Sequence, residues 1–283
     1  LIEFDGVTKS YAGKKALDRI SLNLEESRIY CLLGRNGAGK TTLMKCIAGH
    51  ISPSSGTVKV DGRSVSTLYM PECVNFIENR AAQFNLRVGE LIDLAKSLQD
   101  DFDGDFAQSA LAKFKLDKKK KYRELSFGMQ TMVTTLLSLA NNSKVVLLDE
   151  PVLGFDAIMR SRLYELLSDS FENHRRLIII STHLIDEIAK TAQELMILDA
   201  GRIIFRSSLD DLDERAYSVT GMTRDVESAI SGLNVIGRKI VGGFTTAFVY
   251  DSRPEFPPAL TVQALGLQDF FISMVGGYSD ERQ

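Results

Sequence analysis

Arg28-Ile29-Tyr30-Cys31-Leu32-Leu33-Gly34-Arg35-Asn36-Gly37-Ala38-Gly39-Lys40-Thr41-Thr42 is the stretch whose reading decides the fold. A compact apolar strand over 28–33 ends at Gly34. A nine-residue run fitting G-x-x-x-x-G-K-[ST] follows, and residues 41–48 then carry apolar side chains at helical spacing (Leu43, Met44, Ile47, Ala48), with Gly49 as the stop. Strand, glycine loop and helix in that order form the context in which such a run cradles phosphate. Gly34, Gly37 and Gly39 let successive backbone N–H groups of Gly34, Arg35, Asn36, Gly37, Ala38 and Gly39 turn inward. The helix N-terminus adds its partial positive charge. Lys40 is expected to reach the β- and γ-phosphates, Thr41 to offer a hydroxyl to Mg²⁺, and Thr42 to contact the α-phosphate.

A loop of this kind needs an acidic partner. Val145-Val146-Leu147-Leu148-Asp149-Glu150 supplies one: four apolar residues drive a strand into the core, and its end delivers two carboxylates. Asp149 is expected to orient the Mg²⁺ shell through water, and Glu150 to polarise an attacking water as general base.

Around these two motifs the chain reads as α/β. Short strands are expected at 1–4 and 20–24, with a hairpin over 57–65 turning at Asp61-Gly62. Residues 88–140 are mostly helical by period, with Leu91, Leu94, Ala95 and Leu98 on one face and Met132, Val133, Leu136, Leu137 and Ala140 on another. Strand and helix then alternate: strands at 144–148, 177–181 and 195–198, helices at 158–167 and 184–191, and a closing strand at 202–205. Strands apolar on both faces argue for a largely parallel sheet covered by helices. Near 207–215 the pattern changes to a charged helical linker. Beyond it lies a small, separate α+β unit with strands at 216–219, 235–240 and 244–250, helices at 224–233 and 267–274, and a loop containing Pro254, Pro257 and Pro258.

Composition narrows the function classes. The 283 residues are 44% hydrophobic and 25% charged, with a net charge of −3, so nothing advertises nucleic-acid binding. Lys118-Lys119-Lys120-Lys121 is the one dense basic run. It reads as a solvated loop or as a contact to anionic lipid headgroups. Cys31, Cys46 and Cys73 have no metal spacing and suit a reduced compartment, with Cys31 and Cys46 as small core residues. The longest apolar runs, such as 145–148 and 177–180, fall far short of the roughly 20 residues that span a bilayer. No signal-peptide pattern is read at the N-terminus.

Between the two phosphate motifs lies Leu125-Ser126-Phe127-Gly128-Met129-Gln130. With it the sequence resembles the ATP-binding cassette (ABC) ATPases, for 125–129 sits where that family carries Leu-Ser-Gly-Gly-Gln. Ser126 and Gly128 are retained, whereas Phe127 and Met129 depart. The resemblance implies a P-loop NTPase with a RecA-like core, an N-terminal antiparallel β subdomain and a helical subdomain at about 86–140. The cassette would span 1–207, and 208–283 would hold the linker and accessory domain. The resemblance also implies roles. Leu125, Ser126, Phe127, Gly128 and Met129 contact the ATP held by an opposite subunit, Tyr11 stacks on adenine, and Asp156 in Gly154-Phe155-Asp156 faces the partner. His183, after Ser181-Thr182, reaches the γ-phosphate. The Q-loop position falls to Glu72, in Tyr69-Met70-Pro71-Glu72, or to Gln83.

The expected function is an ATP-binding and ATP-hydrolysing subunit, using ATP and Mg²⁺, that pairs with itself or a second cassette to drive a separate integral-membrane permease. Its place would be peripheral, on the cytoplasmic face of the membrane, with no nucleic-acid partner. The tail resembles that of bacterial cassettes paired with ABC-2-type or antibiotic-export permeases, which favours export. Two alternatives stand beside it: a soluble ABC ATPase acting on nucleic acid or ribosomes, and a cassette that binds ATP with little turnover.

Overall fold

A computed structural model describes residues 1–78, 84–182, 185–188 and 190–277. Their elements run β1 (Ile2–Tyr11), β2 (Lys14–Leu24), β3 (Ile29–Leu33), α1 (Lys40–Ile47), β4 (Ser55–Val60), β5 (Arg63–Ser64), β6 (Val74–Glu78), α2 (Val88–Leu98), α3 (Gly104–Lys113), α4 (Phe127–Ala140), β7 (Val145–Asp149), α5 (Ala157–Asn173), β8 (Leu177–Ser181), α6 (Ile185–Ile188), β9 (Glu194–Asp199), β10 (Arg202–Ser208), α7 (Leu209–Arg215), β11 (Ala216–Met222), α8 (Thr223–Ala229), β12 (Val235–Val241), β13 (Phe244–Tyr250), β14 (Thr261–Ala264) and α9 (Leu267–Met274).

The central sheet has the order β10-β9-β3-β8-β7-β6. Its strands β9, β3, β8, β7 and β6 are parallel, and β10 adds antiparallel at one edge. Strands β3, β7 and β8 are buried at every position, because side chains leave the sheet alternately and both faces are covered. Ile29, Cys31 and Leu33 point to one core together with Val146, Leu148, Ile178 and Ile180; that side is roofed by α2 to α5. Tyr30 and Leu32 point to the other, with Val145, Leu147 and Ile179. There they meet Leu43, Met44, Cys46 and Ile47 of α1 and the inner face of the antiparallel sheet β2-β1-β4-β5.

The C-terminal sheet, β12-β13-β11-β14, is antiparallel. One face makes its own small core of Tyr217, Val219, Val226, Ile230, Ala247 and Val249. The tail is not cut off from the rest, however. Phe248, Leu265, Leu267 and Phe270 belong to the same core as the central strands. Phe270 meets Phe205 of β10 edge-on at 4.8 Å and Tyr250 of β13 at 5.6 Å. The Tyr250 hydroxyl donates to Asp211 Oδ2 at 2.7 Å, pinning α7 to the same point.

Several elements differ from the sequence reading. β1 and β2 are longer than the expected 1–4 and 20–24, since their hydrogen-bond ladder continues to Tyr11↔Lys14 through irregular register. β6 and β14 were not anticipated. β6 is an edge strand, half-buried throughout and containing Asn75 and Glu78, so it lacks an apolar run. α8 stops at Ala229 because Gly232, at φ +86, ends a turn closed by Leu233 N–H on the Ile230 carbonyl. Of the expected helix at 184–191, α6 covers Ile185–Ile188, and residues 190 and 191 lie in a turn.

Candidate functional site

The strand order brings the C-terminal ends of β3, β7 and β8 side by side, and the glycine loop leaves β3 there. Parallel α/β sheets hold ligands at this edge. Lys40 is 7% exposed, and its Nζ donates to the Gly34 carbonyl at 2.6 Å, curling the ammonium over its own loop. Thr41 Oγ1 donates to Asp149 Oδ2 at 2.5 Å. Register pairs Asp149 with Ser181, whose hydroxyl donates to Asp149 Oδ1. The buried carboxylate is thus held at both oxygens between the loop and the end of β8, which meets the need of a buried charge for hydrogen-bond partners.

Glu150 follows with φ +50, a left-handed backbone seldom taken by a residue with a side chain. Its N–H donates to the Ser181 carbonyl at 3.0 Å and to the Ser181 hydroxyl at 3.2 Å, and its carbonyl accepts from Leu153 N–H at 3.2 Å. Those bonds hold the twist, whose cost is of order 1 to 3 kcal/mol, and strain of this kind gathers at functional sites. The result turns the half-buried carboxyl from the strand end toward the loop. Arg35, Asn36, Gly37, Gly39, Thr41, Thr42, Asp149 and Glu150 line one cavity of about 240 Å³, and Ala16 of β2 closes its side.

Gly39 shows why that loop requires glycine: it sits at φ +113, and a Cβ there would lie 2.4 Å from the Ala16 carbonyl oxygen. Ala38 is buried, and its carbonyl accepts from Gly201 N–H at 3.0 Å. Tyr11, at the far end of β1, is 47% exposed with Lys9 Nζ 5.2 Å from its ring centroid, and it does not line the phosphate cavity. Cys31 and Cys46 are buried and free, and burial lifts both thiols, that of Cys46 to about 11. They lie beside the loop as small apolar residues, not nucleophiles.

A second constellation forms where α4 meets the turn after Glu150. Leu125 is buried in the core, and Ser126 caps α4 by accepting from Met129 N–H at 3.3 Å. A Cβ on Gly128 would stand 2.9 Å from the Gly154 carbonyl oxygen, and one on Gly154 would stand 3.0 Å from Phe127 Cδ1. The glycines at 128 and 154 therefore let helix and turn close on each other, with the Phe127 ring laid over the contact. Met129 packs against the core. Asp156 caps α5 by accepting from Met159 N–H at 2.8 Å. Phe127, Leu153 and Ile158 remain exposed around these two caps.

Glu72 does not belong to the site. Val74 pairs with Val145 and Glu78 with Asp149, so β6 enters the sheet at its N-terminal edge. Glu72 precedes that strand and lies on the order of 20 Å from the level of Asp149 at about 3.3 Å per residue. Gln83 and His183 fall outside the described residues. The sequence reading missed Glu78, whose carboxylate takes an ion pair from Lys45 of α1 at 2.8 Å. It also missed Phe271 of α9, which lines a neighbouring cavity of about 430 Å³ with Arg35, Glu150, Leu153, Thr182 and Ile185. No local signal marks either: each depends on which strands and helices become neighbours.

Comparison with known proteins converges on one family. The sequence profile described as ABC transporter matches residues 17–153. The uncharacterized ABC transporter ATP-binding protein MJ1023 of Methanocaldococcus jannaschii is 32% identical, over 75% of this chain and 79% of that protein. The ABC transporter ATP-binding protein YtrB of Bacillus subtilis is 28% identical over 98% of this chain and 99% of its own, a likeness that runs through the C-terminal sheet. The bacitracin transport ATP-binding protein BcrA of Enterococcus faecalis is 29% identical over 78% of this chain and 73% of its own. Among solved structures, a dimeric ATP-binding cassette in a post-hydrolysis state, bound to ADP and Pi, has the same fold at a TM-score of 0.65 and 21% identity, covering 74% of this chain and 99% of that one. Among the described residues no helix is long and apolar enough to cross a membrane. With loop, acidic strand end and capped α4 all in register, the chain belongs to the family of ABC transporter ATP-binding proteins and is an ATP-binding, ATP-hydrolysing cassette.

Proposed function

We propose that two such cassettes close on two ATP molecules, and that the cycle of closure and hydrolysis drives a separate membrane permease in the export direction. The observation that carries this reading is the tie between Thr41, Asp149 and Ser181, with Glu150 turned out beside it. The donor set fits ATP and Mg²⁺: a hydroxyl and a carboxylate at one point, a glycine cradle and a buried lysine around it. Thr41 and Asp149 would hold Mg²⁺, which when bound would neutralise charge on the phosphates. Lys40 would exchange its bond to the Gly34 carbonyl for the β- and γ-phosphates. Glu150 would orient and deprotonate the attacking water, and His183 would contact the γ-phosphate. Gln83, five positions beyond the end of β6, takes the Q-loop role that Glu72 cannot reach.

Pairing is supported by the exposed Phe127, Leu153 and Ile158 around the capped starts of α4 and α5, a surface suited to a second cassette. There Ser126 and the free N–H groups at the start of α4 would meet the partner's γ-phosphate, and Asp156 would face the partner. Tyr11 would stack on adenine. Export is supported by the likeness to a bacitracin transport ATP-binding protein. The cassette at 1–207, the accessory unit at 208–283 and a peripheral place on the cytoplasmic face follow from the same reading.

The test is Glu150→Gln, measured for ATP binding, turnover and size in ATP. Binding should stay at the parental level, turnover should fall by about a hundredfold or more, and the protein should elute as a dimer in ATP and as a monomer without it. Parental hydrolysis in this variant would remove Glu150 from the chemistry.

A further inference from the structure

β8 is an apolar strand that closes on a hydroxyl. Leu177, Ile178, Ile179 and Ile180 fill the cores on its two faces, and Ser181 ends the run fully buried. Its neighbours in the sheet are Leu32 of β3 on one side and Asp149 of β7 on the other. A hydroxyl buried there costs stability unless it is hydrogen-bonded. This one donates to Asp149 Oδ1 and accepts the Glu150 N–H at 3.2 Å. The direction of both bonds is fixed, since an N–H only donates and an ionised carboxylate only accepts.

The two bonds differ in what stands behind them. The Glu150 N–H has a second acceptor at 3.0 Å, the Ser181 carbonyl, which any residue at this position would supply. Asp149 also accepts from Thr41, at Oδ2. Thr41 lines the phosphate cavity with Asp149 and is the hydroxyl read as a Mg²⁺ ligand, so its bond to the carboxylate is the one with which cation and nucleotide compete. Ser181 lines neither that cavity nor the one beside it. Its hydroxyl is out of a ligand's reach, and its hold on Oδ1 persists while the Thr41 bond is exchanged.

We infer that Ser181 is a positioning residue for the metal: by pinning Asp149 Oδ1 within the sheet, its hydroxyl keeps Oδ2 aimed at Thr41 and at the cavity where Mg²⁺ would bind. The inference rests on the proposed reading of Thr41 and Asp149 as the Mg²⁺ pair. It gives the side chain and main chain of one residue separate duties. The hydroxyl serves Asp149, and the carbonyl holds the turn at Glu150.

The experiment is binding of a fluorescent ADP by the full chain, in EDTA and across a Mg²⁺ titration, with ATP hydrolysis measured at limiting and at excess Mg²⁺. The proteins are the parent, Ser181→Ala, Ser181→Cys, Ser181→Thr and Asp149→Asn. In Ser181→Ala the Mg²⁺ concentration giving half of its effect on ADP binding should rise about tenfold, the scale of loss when a group that orients a metal ligand is removed. Affinity in EDTA should stay within about twofold of the parent, and turnover lost at limiting Mg²⁺ should be largely recovered by excess Mg²⁺. Ser181→Cys fills the same space with a poor donor and should follow the alanine variant. Ser181→Thr keeps the hydroxyl and should return most of the parental Mg²⁺ curve. A parental curve in Ser181→Ala or Ser181→Cys overturns the inference, as does an equal loss of affinity in EDTA or a threonine variant no better than alanine. Should the alanine variant fail to fold, Ser181→Cys is read by the same outcomes. If Asp149→Asn leaves the Mg²⁺ curve unmoved, the reading of the Mg²⁺ pair has failed. If it shifts the curve while Ser181→Ala does not, only the role of Ser181 has failed.

Discussion

Gly37 and Gly39 both sit at positive φ, +82 and +113, yet they differ in what surrounds them. A Cβ on Gly37 meets nothing within 4 Å, so Gly37→Ala incurs only backbone strain, about 1 kcal/mol. A Cβ on Gly39 meets the Ala16 carbonyl at 2.4 Å and Leu17 Cδ2 at 3.1 Å, and backbone cannot step aside as a flexible side chain does. Gly39→Ala should therefore destabilise the nucleotide-free protein by about 3 kcal/mol, strain and overpacking together. Urea titrations of the two variants would decide it, and equal midpoints would refute the wedge. At this scale the site was largely legible. Gly39, Lys40, Thr41, Asp149 and Glu150 are set by spacing along one strand–loop–helix or one strand end, and such local geometry is carried by neighbouring residues. Glu72 shows the limit. It resembles a motif letter, but its place depends on how β6 registers against β7, and no local pattern reports register between strands far apart in sequence.

Elements meet at Asp18, on β2. Its N–H donates to the Gly201 carbonyl at 2.8 Å, and its carboxylate pairs with Lys15 at 2.7 Å and with Arg202, whose Nε lies at 2.8 Å. Gly201 in turn donates to Ala38 of the glycine loop. The hydrogen bonds from Lys15 and then Arg202 hold the Asp18 carboxyl down to about 2, from the usual 3.8. A carboxyl lowered on folding stabilises the native state fully above its unfolded pKa and loses that effect as pH falls through its folded one. The parent should thus lose stability between pH about 4 and pH about 2, and Asp18→Asn should lose less over the same interval. Denaturant midpoints at several pH values measure this, and parallel curves would show that the pairing contributes nothing. β7, β8 and β9 were legible because their apolar runs are buried on both faces. β6 and β14 were hidden because an edge strand that is half-buried, as β6 is, or mostly exposed, as β14 is, needs no such run. The length of β1 and β2 was hidden because a ladder with register shifts breaks strict alternation.

Across the whole molecule, the tail has two faces with different allegiances. The face with Val219, Val226 and Val249 closes on itself, whereas the other, through Phe248 and Phe270, enters the core of the central sheet. Apart from β14, the tail's own secondary structure was legible from its periodicity. Its attachment was not, because Phe205 and Phe270 are distant in sequence and only the folded chain makes them neighbours. A continuous core implies cooperative unfolding, so the parent should melt in a single transition by calorimetry and by aromatic circular dichroism. Phe270→Ala removes the ring at the junction and should destabilise by about 3 to 5 kcal/mol, the range for a buried phenylalanine. Ile240→Ala, on the exposed side of β12, should change stability by no more than about 0.5 kcal/mol. Loss of the junction should also uncouple the two units, so that β11 to β14 exchange amide hydrogens ahead of the central strands in Phe270→Ala but together with them in the parent. Early exchange of the C-terminal sheet already in the parent would mean that the aromatic junction does not join the two cores, and that the tail is a separate domain after all.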